Sequence, residues 1–311
     1  MRVLVTGASG FVGTALCREL LARGHAVRAA VRRPAAEEIP PAAEQVFVAD
    51  LAADFDRRAL LEGVDVIVHL AAIAHRSASE AEIHRVNVDA TARLAEASAG
   101  AVRRFVFMSS VKVHGEDSGE GSYAEDSPTQ PRDAYGRAKL EAERFLADLA
   151  ARSGIELVLL RPPLIYGPGV KANFLSLLRW VDSGVPLPFA SLRNRRSVIC
   201  LGNLIDATAR CAEHPGASGP FVLGDDEIVS TPHLLSSVAR ALGRPVRLFP
   251  FPLAGLRLAG AAAGRSDAIL SLTGNLVADT SRARQLLGWR PPLTLDEGLA
   301  QTVPWFRLKH G

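Results

Sequence analysis

Tyr135 and Lys139 stand four residues apart in a stretch, 134–151, whose pattern predicts a helix, so their side chains share one face, one turn apart. A free phenol has a pKa of about 10 and is a poor base at neutral pH. An ammonium beside it favours the phenolate, each pKa unit corresponding to roughly 1.4 kcal/mol. Such a phenol can exchange a proton with a substrate hydroxyl. Ser109 and Ser110 follow the apolar run Phe105-Val106-Phe107-Met108. A hydroxyl at that strand end can donate to a reacting carbonyl oxygen and orient it. A Tyr/Lys pair and a strand-end serine turn are each common by chance; their order along the chain carries the weight.

The partner for that proton chemistry is signalled upstream. Thr6-Gly7-Ala8-Ser9-Gly10-Phe11-Val12-Gly13 follows the apolar run Val3-Leu4-Val5. Gly7 suits a sharp turn off a strand, Gly10 a close approach of pyrophosphate, and Gly13 tight packing of the following helix. The N–H groups and positive end of that helix face the phosphates. Gly7, Ser9, Gly10, Phe11, Val12 and Gly13 are therefore candidate dinucleotide contacts. A nicotinamide cofactor would exchange hydride while Tyr135 exchanges the proton, and its oxidised ring adds a positive charge that also favours the phenolate. Lys139 could also hold the nicotinamide ribose. Where a predicted strand ends near Val31, an NAD enzyme usually presents an acid to the adenosine ribose; this chain presents Arg32 and Arg33. Arginines suit a 2′-phosphate, which favours NADP(H) or dual use over NAD alone.

The elements that must position these groups alternate. Apolar runs at 3–5, 26–31, 46–48, 64–70, 104–108 and 157–160 read as buried strands, with helices between them at 11–23, 80–97 and 134–151. The alternation predicts an α/β fold, a doubly wound parallel sheet. After Arg161 prolines and glycines cluster, and the texture becomes loops and short helices. The expected division is a dinucleotide-binding region at 1–165 and 196–214, and a smaller substrate-binding region at 166–195 and 215–311.

Composition narrows the classes. With 48% apolar and 22% charged residues and a net charge of +3, the chain is balanced as an ordinary globular protein, with no basic stripe for nucleic acid. Cys17, Cys200 and Cys211 form neither a metal-ligand spacing nor a disulfide framework, which fits a reducing cytoplasm. Met1 leads straight into the first strand, leaving no room for a signal peptide, and 253–264 is too short and too interrupted to span a membrane. His69, His75 and His84 fall on unrelated faces, and no metal site is expected.

The chain resembles the extended short-chain dehydrogenase/reductases, the NAD-dependent epimerase/dehydratase family of nucleotide-sugar enzymes, over essentially its whole length. The matching residues are the glycine loop, Asp50-Leu51, His69-Leu70-Ala71-Ala72, Asn87-Val88, Ser109-Ser110, Tyr135-Gly136-Arg137-Ala138-Lys139, Arg161-Pro162, Tyr166-Gly167-Pro168-Gly169, Leu286-Leu287-Gly288-Trp289 with Pro291, and Leu295-Asp296-Glu297-Gly298-Leu299. The resemblance implies that Ser110 is the catalytic hydroxyl beside Tyr135 and Lys139. It implies that Asp50 and Leu51 meet the adenine, that Leu70, Ala71 and Ala72 line the nicotinamide side with Ser109 and Pro162, and that Asn87 supports the active-site helix. Ser110, Lys112, Asn173 and Arg196 become candidate substrate contacts, with Arg196 placed to grip a diphosphate. A homodimer built on the Tyr135–Lys139 helix and its neighbour is also implied.

Two departures narrow the chemistry. Dehydratases of this family carry Thr-Asp-Glu at the catalytic-hydroxyl position, whereas this chain has Ser110-Val111-Lys112, with neither carboxylate. Leu164 stands where many members place a substrate-contacting asparagine. The expected activity is oxidation and reduction at C4 of a nucleotide sugar, most similar to bacterial UDP-sugar 4-epimerases or to 4-ketoreductases. The alternatives are an NADP(H)-dependent ketoreductase of a non-sugar substrate and a catalytically silent NADP(H)-sensing regulator.

Overall fold

A computed structural model describes residues 1–33, 37–74, 78–262, 264 and 266–310; His75 lies outside them. Strand β1 (Arg2–Thr6) turns into helix α1 (Phe11–Ala22), followed by β2 (Ala26–Val31), β3 (Glu44–Phe47), the single turn α2 (Arg58–Leu61) and β4 (Val66–His69). Next come α3 (Glu80–His84), α4 (Ala90–Ser98), β5 (Arg104–Met108), α5 (Ala134–Ser153) and β6 (Glu156–Arg161). Seven parallel strands form the main sheet in the order β3-β2-β1-β4-β5-β6-β9, the last being Gly219–Val222. The direction of strand succession reverses between β1 and β4, where Thr6 lies beside His69, and the carboxyl ends at such a point form a binding crevice.

Alternation along the strands loads both faces of the sheet. Val3, Val5, Val66, Val68, Val106 and Val158 point to one side. They are covered there by Leu16 and Leu20 of α1 and by Leu204 and Ala207 of α7 (Leu201–Glu213). Leu4, Ile67, Phe105, Phe107, Leu157 and Leu159 point to the other side and meet Leu94 of α4 and Leu146 of α5. Burial on both faces explains why these strands read as nearly continuous apolar runs.

A second apolar core gathers around the short parallel pair β7 (Leu164–Tyr166) and β8 (Val198–Cys200). It is filled by Phe174 and Leu178 of α6 (Ala172–Asp182), Leu235 and Val238 of α8 (Thr231–Leu242), and Leu299 and Phe306 of α12 (Leu295–His310). Between α8 and α12 lie α9 (Leu253–Ala262), α10 (Ser266–Thr273) and α11 (Ser281–Leu287).

The expected division differs in one respect. Strand β9 falls in the stretch assigned to the substrate region, yet it closes the edge of the main sheet beside β6. Ala283 and Leu287 of α11, with Trp289, pack into the core of that same sheet. Pro220 within β9 is tolerable because β9 is an edge strand, with one side free of ladder bonds.

Candidate active site

The turn from β1 to α1 is shaped by what a side chain would strike. Gly7 has φ of +66°, and a Cβ there would lie 2.8 Å from the Ala71 nitrogen. A Cβ on Gly13 would lie 2.2 Å from the Gly7 carbonyl oxygen and 2.7 Å from the Ala8 Cα. The first turn of α1 thus packs directly on the loop preceding it. Gly10, the N-cap, supplies no side-chain cap, and Ser9 is exposed. Phe11 and Val12 are partly buried at the start of α1. A bare helix start beside a glycine turn fits a pyrophosphate. Gly13→Ala is expected to destabilise the fold by about 1–3 kcal/mol through overpacking. It should also weaken dinucleotide binding, as read by urea titration and NAD calorimetry.

The next wall is the loop after β4. His69 is fully buried, with Nδ1 2.7 Å from Thr6 Oγ1 and Nε2 3.0 Å from Thr91 Oγ1. Thr91 donates to the Asn87 carbonyl, so Thr91 Oγ1 accepts from His69 Nε2–H and Nδ1 accepts from Thr6. Thr6 Oγ1 in turn accepts from the Ala71 N–H at 3.3 Å. Burial, with Lys139 adding to it, pulls His69 down to about 3 and keeps it neutral, as this chain of bonds requires. Leu70 and Ala71 are partly buried here, and Ala72 is exposed. Asn87 departs from expectation: Oδ1 accepts from Ile73 N–H and Nδ2 donates to Ile73 O, so its amide clamps this loop rather than the Tyr135 helix. It sits in a one-turn π-helix, Arg85–Asp89, that interrupts the single helix predicted over 80–97.

Ser109 follows β5, is buried, and has a hydroxyl without a hydrogen-bond partner. Ser110 Oγ accepts from the Lys112 N–H at 3.3 Å and starts a 3-10 turn, Val111–Val113. The Val111 N–H donates to the Pro162 carbonyl after β6, fixing the serine turn to the next strand. Asp133 Oδ1 caps α5 by accepting from Gly136 N–H at 2.7 Å, so Tyr135 lies in the first turn and Lys139 one turn on. Lys139 Nζ donates to the Met108 carbonyl at 2.7 Å, lies 4.4 Å from the centre of the Phe107 ring and 5.9 Å from that of Tyr135. The sequence-predicted serines, tyrosine and lysine are thus gathered at the carboxyl ends of β5 and β6.

Their electrostatics differ from the sequence expectation. Burial, and then the Asp133 charge, push the Tyr135 phenol up, opposite to the lowering expected from Lys139. Burial also pulls Lys139 down to about 7, against the opposing charge of Glu143. Desolvation outweighs mutual attraction at this separation.

Several ion pairs around the site are invisible to motif reading. The ammonium of Lys112, a candidate substrate contact, lies 2.8 Å from Glu116 Oε1 and 2.7 Å from Asp133 Oδ2, a pair of ties that its sequence position does not announce. Arg161 makes a buried two-pronged pair with Glu143 at 3.0 and 2.6 Å, locking β6 to α5. The same guanidinium donates to His114 Nε2 and to the Glu125 carbonyl. Only the tyrosine helix's length and a buried-strand arginine hinted at the pair with Glu143.

At the adenosine end, Arg32 and Arg33 are exposed just beyond β2. Asp50 is held below the ordinary carboxylate range, first by Arg85 and then by the Ala52 N–H, while Leu51 is partly buried. On the other side, Arg196 is half-buried, donates to the Gly274 carbonyl at 2.9 Å, and is lowered by burial. Gly274 lines a cleft of about 340 Å³ with Arg193, Asn194, Thr273, Asn275 and Arg257. Asn173 is exposed in the first turn of α6, and Leu164 is partly buried in β7, paired with Val198. Among the described residues no three His, Cys, Asp or Glu side chains converge as a metal site, and the three cysteines are buried and unpaired.

A doubly wound parallel sheet with a glycine turn at its switch point places the chain among the Rossmann-fold short-chain dehydrogenase/reductases, in their extended form. More narrowly, it belongs to the NAD dependent epimerase/dehydratase family, whose sequence profile matches residues 3–224. A UDP-glucose 4-epimerase of Vibrio cholerae is 40% identical over 314 aligned positions, covering 98% of this chain and 95% of the relative. The solved structure of MoeE5 in complex with UDP-glucuronic acid and NAD is 29% identical with a TM-score of 0.80, covering 99% of this chain and 100% of that one. The NAD complex of UDP-glucose 4-epimerase from Thermus thermophilus is 25% identical, also with a TM-score of 0.80, covering 99% of each chain.

Proposed function

We propose that this chain is a UDP-sugar 4-epimerase. The observation that carries this reading is the gathering of Ser110, Tyr135 and Lys139 at the carboxyl ends of β5 and β6, beside the glycine turn. The 40% identity to a UDP-glucose 4-epimerase supports the substrate class. A dinucleotide would lie with its pyrophosphate on Gly7–Gly13, its adenosine toward Arg32, Arg33, Asp50 and Leu51, and its nicotinamide toward Ala71, Ser109 and Pro162. Bound there, an oxidised nicotinamide would supply a positive charge and a reversible hydride acceptor for the sugar C4.

This chain's residues handle the proton. Tyr135 Oη accepts it from the C4 hydroxyl, and Ser110 Oγ donates to the same oxygen as it becomes a carbonyl. Lys139 stabilises the phenolate, offsetting burial and the Asp133 charge. Arg196, with the cleft beside Gly274, faces the diphosphate end. Once the sugar has turned in the site, Tyr135 returns the proton and C4 has inverted. Elimination of water is not supported, because Glu116 and Asp133, two carboxylates near Ser110, are both held by Lys112.

A 4-ketoreductase that exchanges NADP(H) each turnover is the second reading, favoured by the exposed Arg32 and Arg33 at the β2 end. Protein purified without added cofactor, then denatured, is expected to release NAD and, before denaturation, to interconvert UDP-glucose and UDP-galactose. An empty protein that binds NADPH in preference to NADH and reduces a 4-keto UDP-sugar would overturn the epimerase reading. If the arginines hold a 2′-phosphate, Arg32→Ala with Arg33→Ala lowers NADPH affinity by about tenfold to a hundredfold and leaves NADH unchanged. A homodimer through α4 and α5 is part of the proposal, checked by sedimentation. No helix among the described residues is long and apolar enough to cross a membrane.

A further inference from the structure

We propose that Lys112 is a positioning residue for the proton transfer: it ties the serine turn to the start of the tyrosine helix and neutralises the carboxylate two residues before Tyr135. The inference rests on the reading of Tyr135 as the proton-transfer group.

The geometry is a bridge between two short segments. On one side, Lys112 lies in the 3-10 turn that Ser110 starts, and its own N–H donates to Ser110 Oγ. On the other, Asp133 uses one oxygen to cap α5 and the other to accept from Lys112 Nζ. The two backbones also touch: a Cβ on Gly136 would lie 3.0 Å from the Lys112 carbonyl oxygen. Ser110 and Tyr135, 25 residues apart in the chain, are therefore held by one close backbone contact and one ion pair.

The pair also sets local charge. The Lys112, Glu116 and Asp133 side chains are 33%, 9% and 26% exposed, so water screens them only partly. Asp133 opposes ionisation of Tyr135 and Lys112 opposes Asp133. Arg196, just ahead of β8, also acts on Glu116 and on Asp117, and Arg132 immediately precedes Asp133. The remaining charged groups on the packed elements have their own partners. Glu143 of α5 is held by Arg161 of β6, and Arg137 by Glu80 of α3. Glu141 faces His84 of α3, which also lies near Asp89. Arg85 of the π turn holds Asp50, Arg93 of α4 acts on the same carboxylate, and His69 of β4 is neutral. Lys139 is the cation on Tyr135's own helix. Removing the Lys112 charge therefore takes away a cation that opposes Asp133, the carboxylate that raises the Tyr135 phenol, without disturbing these other pairs.

The test compares the parent protein with Lys112→Met, Lys112→Arg, and Lys112→Met combined with Asp133→Asn, which keeps an oxygen to cap α5. Tyrosinate absorbance is titrated on each protein loaded with oxidised NAD. Tyr135 is one of only 3 tyrosines, so the difference from Tyr135→Phe assigns its step. In Lys112→Met that step is expected to rise by about one pH unit, about tenfold less phenolate at a given pH below it. The acid limb of UDP-glucose turnover should move with it at unchanged KM. Lys112→Arg and the double variant return both to the parent position.

Coincident titrations for Lys112→Met and the parent would overturn the proposal. So would a raised KM alone, as a substrate contact predicts, or an equal loss at every pH that Asp133→Asn fails to relieve. A parent with no Tyr135 step, whose Tyr135→Phe variant still turns over, would instead overturn the proton-transfer reading.

Discussion

Tyr135→Phe is expected to lower turnover of UDP-glucose by about 10²–10⁴-fold, the range typical of a positioned acid–base group. Phenylalanine keeps the ring, and with it the packing at the start of α5 and the approach of Lys139 Nζ, 5.9 Å from the ring centre. Only Oη is lost, so affinities for NAD and UDP-glucose should stay within a few-fold, measured by calorimetry alongside steady-state rates. A fully active variant would remove Tyr135 from the chemistry. The residual rate should lose the pH dependence attributed to the phenol, which separates loss of a proton carrier from a displaced substrate.

Arg161→Met is expected to cost about 3–5 kcal/mol of folding stability, the usual result of breaking a buried pair from one side. The Arg161 and Glu143 side chains are only 7% and 4% exposed, so the stranded carboxylate has little water to turn to. His114 Nε2 and the Glu125 carbonyl lose the same donor. The variant's urea midpoint should fall without a change in slope. Adding Glu143→Leu should recover much of the loss, because the uncompensated charge is then gone. If the single variant unfolds at the parent's midpoint, the pair is not what locks β6 to α5. Glu143 lies one turn beyond Lys139, so a freed carboxylate should also raise the lysine's affinity for its proton.

The parts of the site legible in the sequence were those written in local spacing. Tyr135 and Lys139 share a face because residues four apart on a helix lie one above the other, and Gly7 and Gly13 mark a turn because a side chain at either would strike the backbone. Strands β1, β2, β4, β5 and β6 were readable because burial on both faces leaves long apolar runs, whereas the mostly exposed β3 showed only its end, in the run 46–48. Strand β9 was not, since Gly219-Pro220 reads as a turn and only its edge position makes it a strand. The π turn at Arg85–Asp89 changes helical phase by one residue, which periodicity does not register. The ties of Lys112 to Glu116 and Asp133 were not legible either, because these partners meet it only through tertiary packing. The upward push on Tyr135 was missed for a similar reason: spacing reports neighbours but not desolvation.

The way the main sheet is covered has a consequence for how the chain is made. Six of its strands are complete once residue 161 has been synthesised. The face carrying Val3, Val5, Val66, Val106 and Val158 is then shielded by α1 and by Ile39 and Ala43, whereas Leu204, Phe221, Leu287 and Trp289 come later. A nascent chain emerging from the ribosome therefore presents part of an apolar face until α7 (Leu201–Glu213) has been made, and the last of its cover arrives only with Leu287 and Trp289. That is the interval in which a chaperone has something to hold, and in which a stalled or truncated product aggregates.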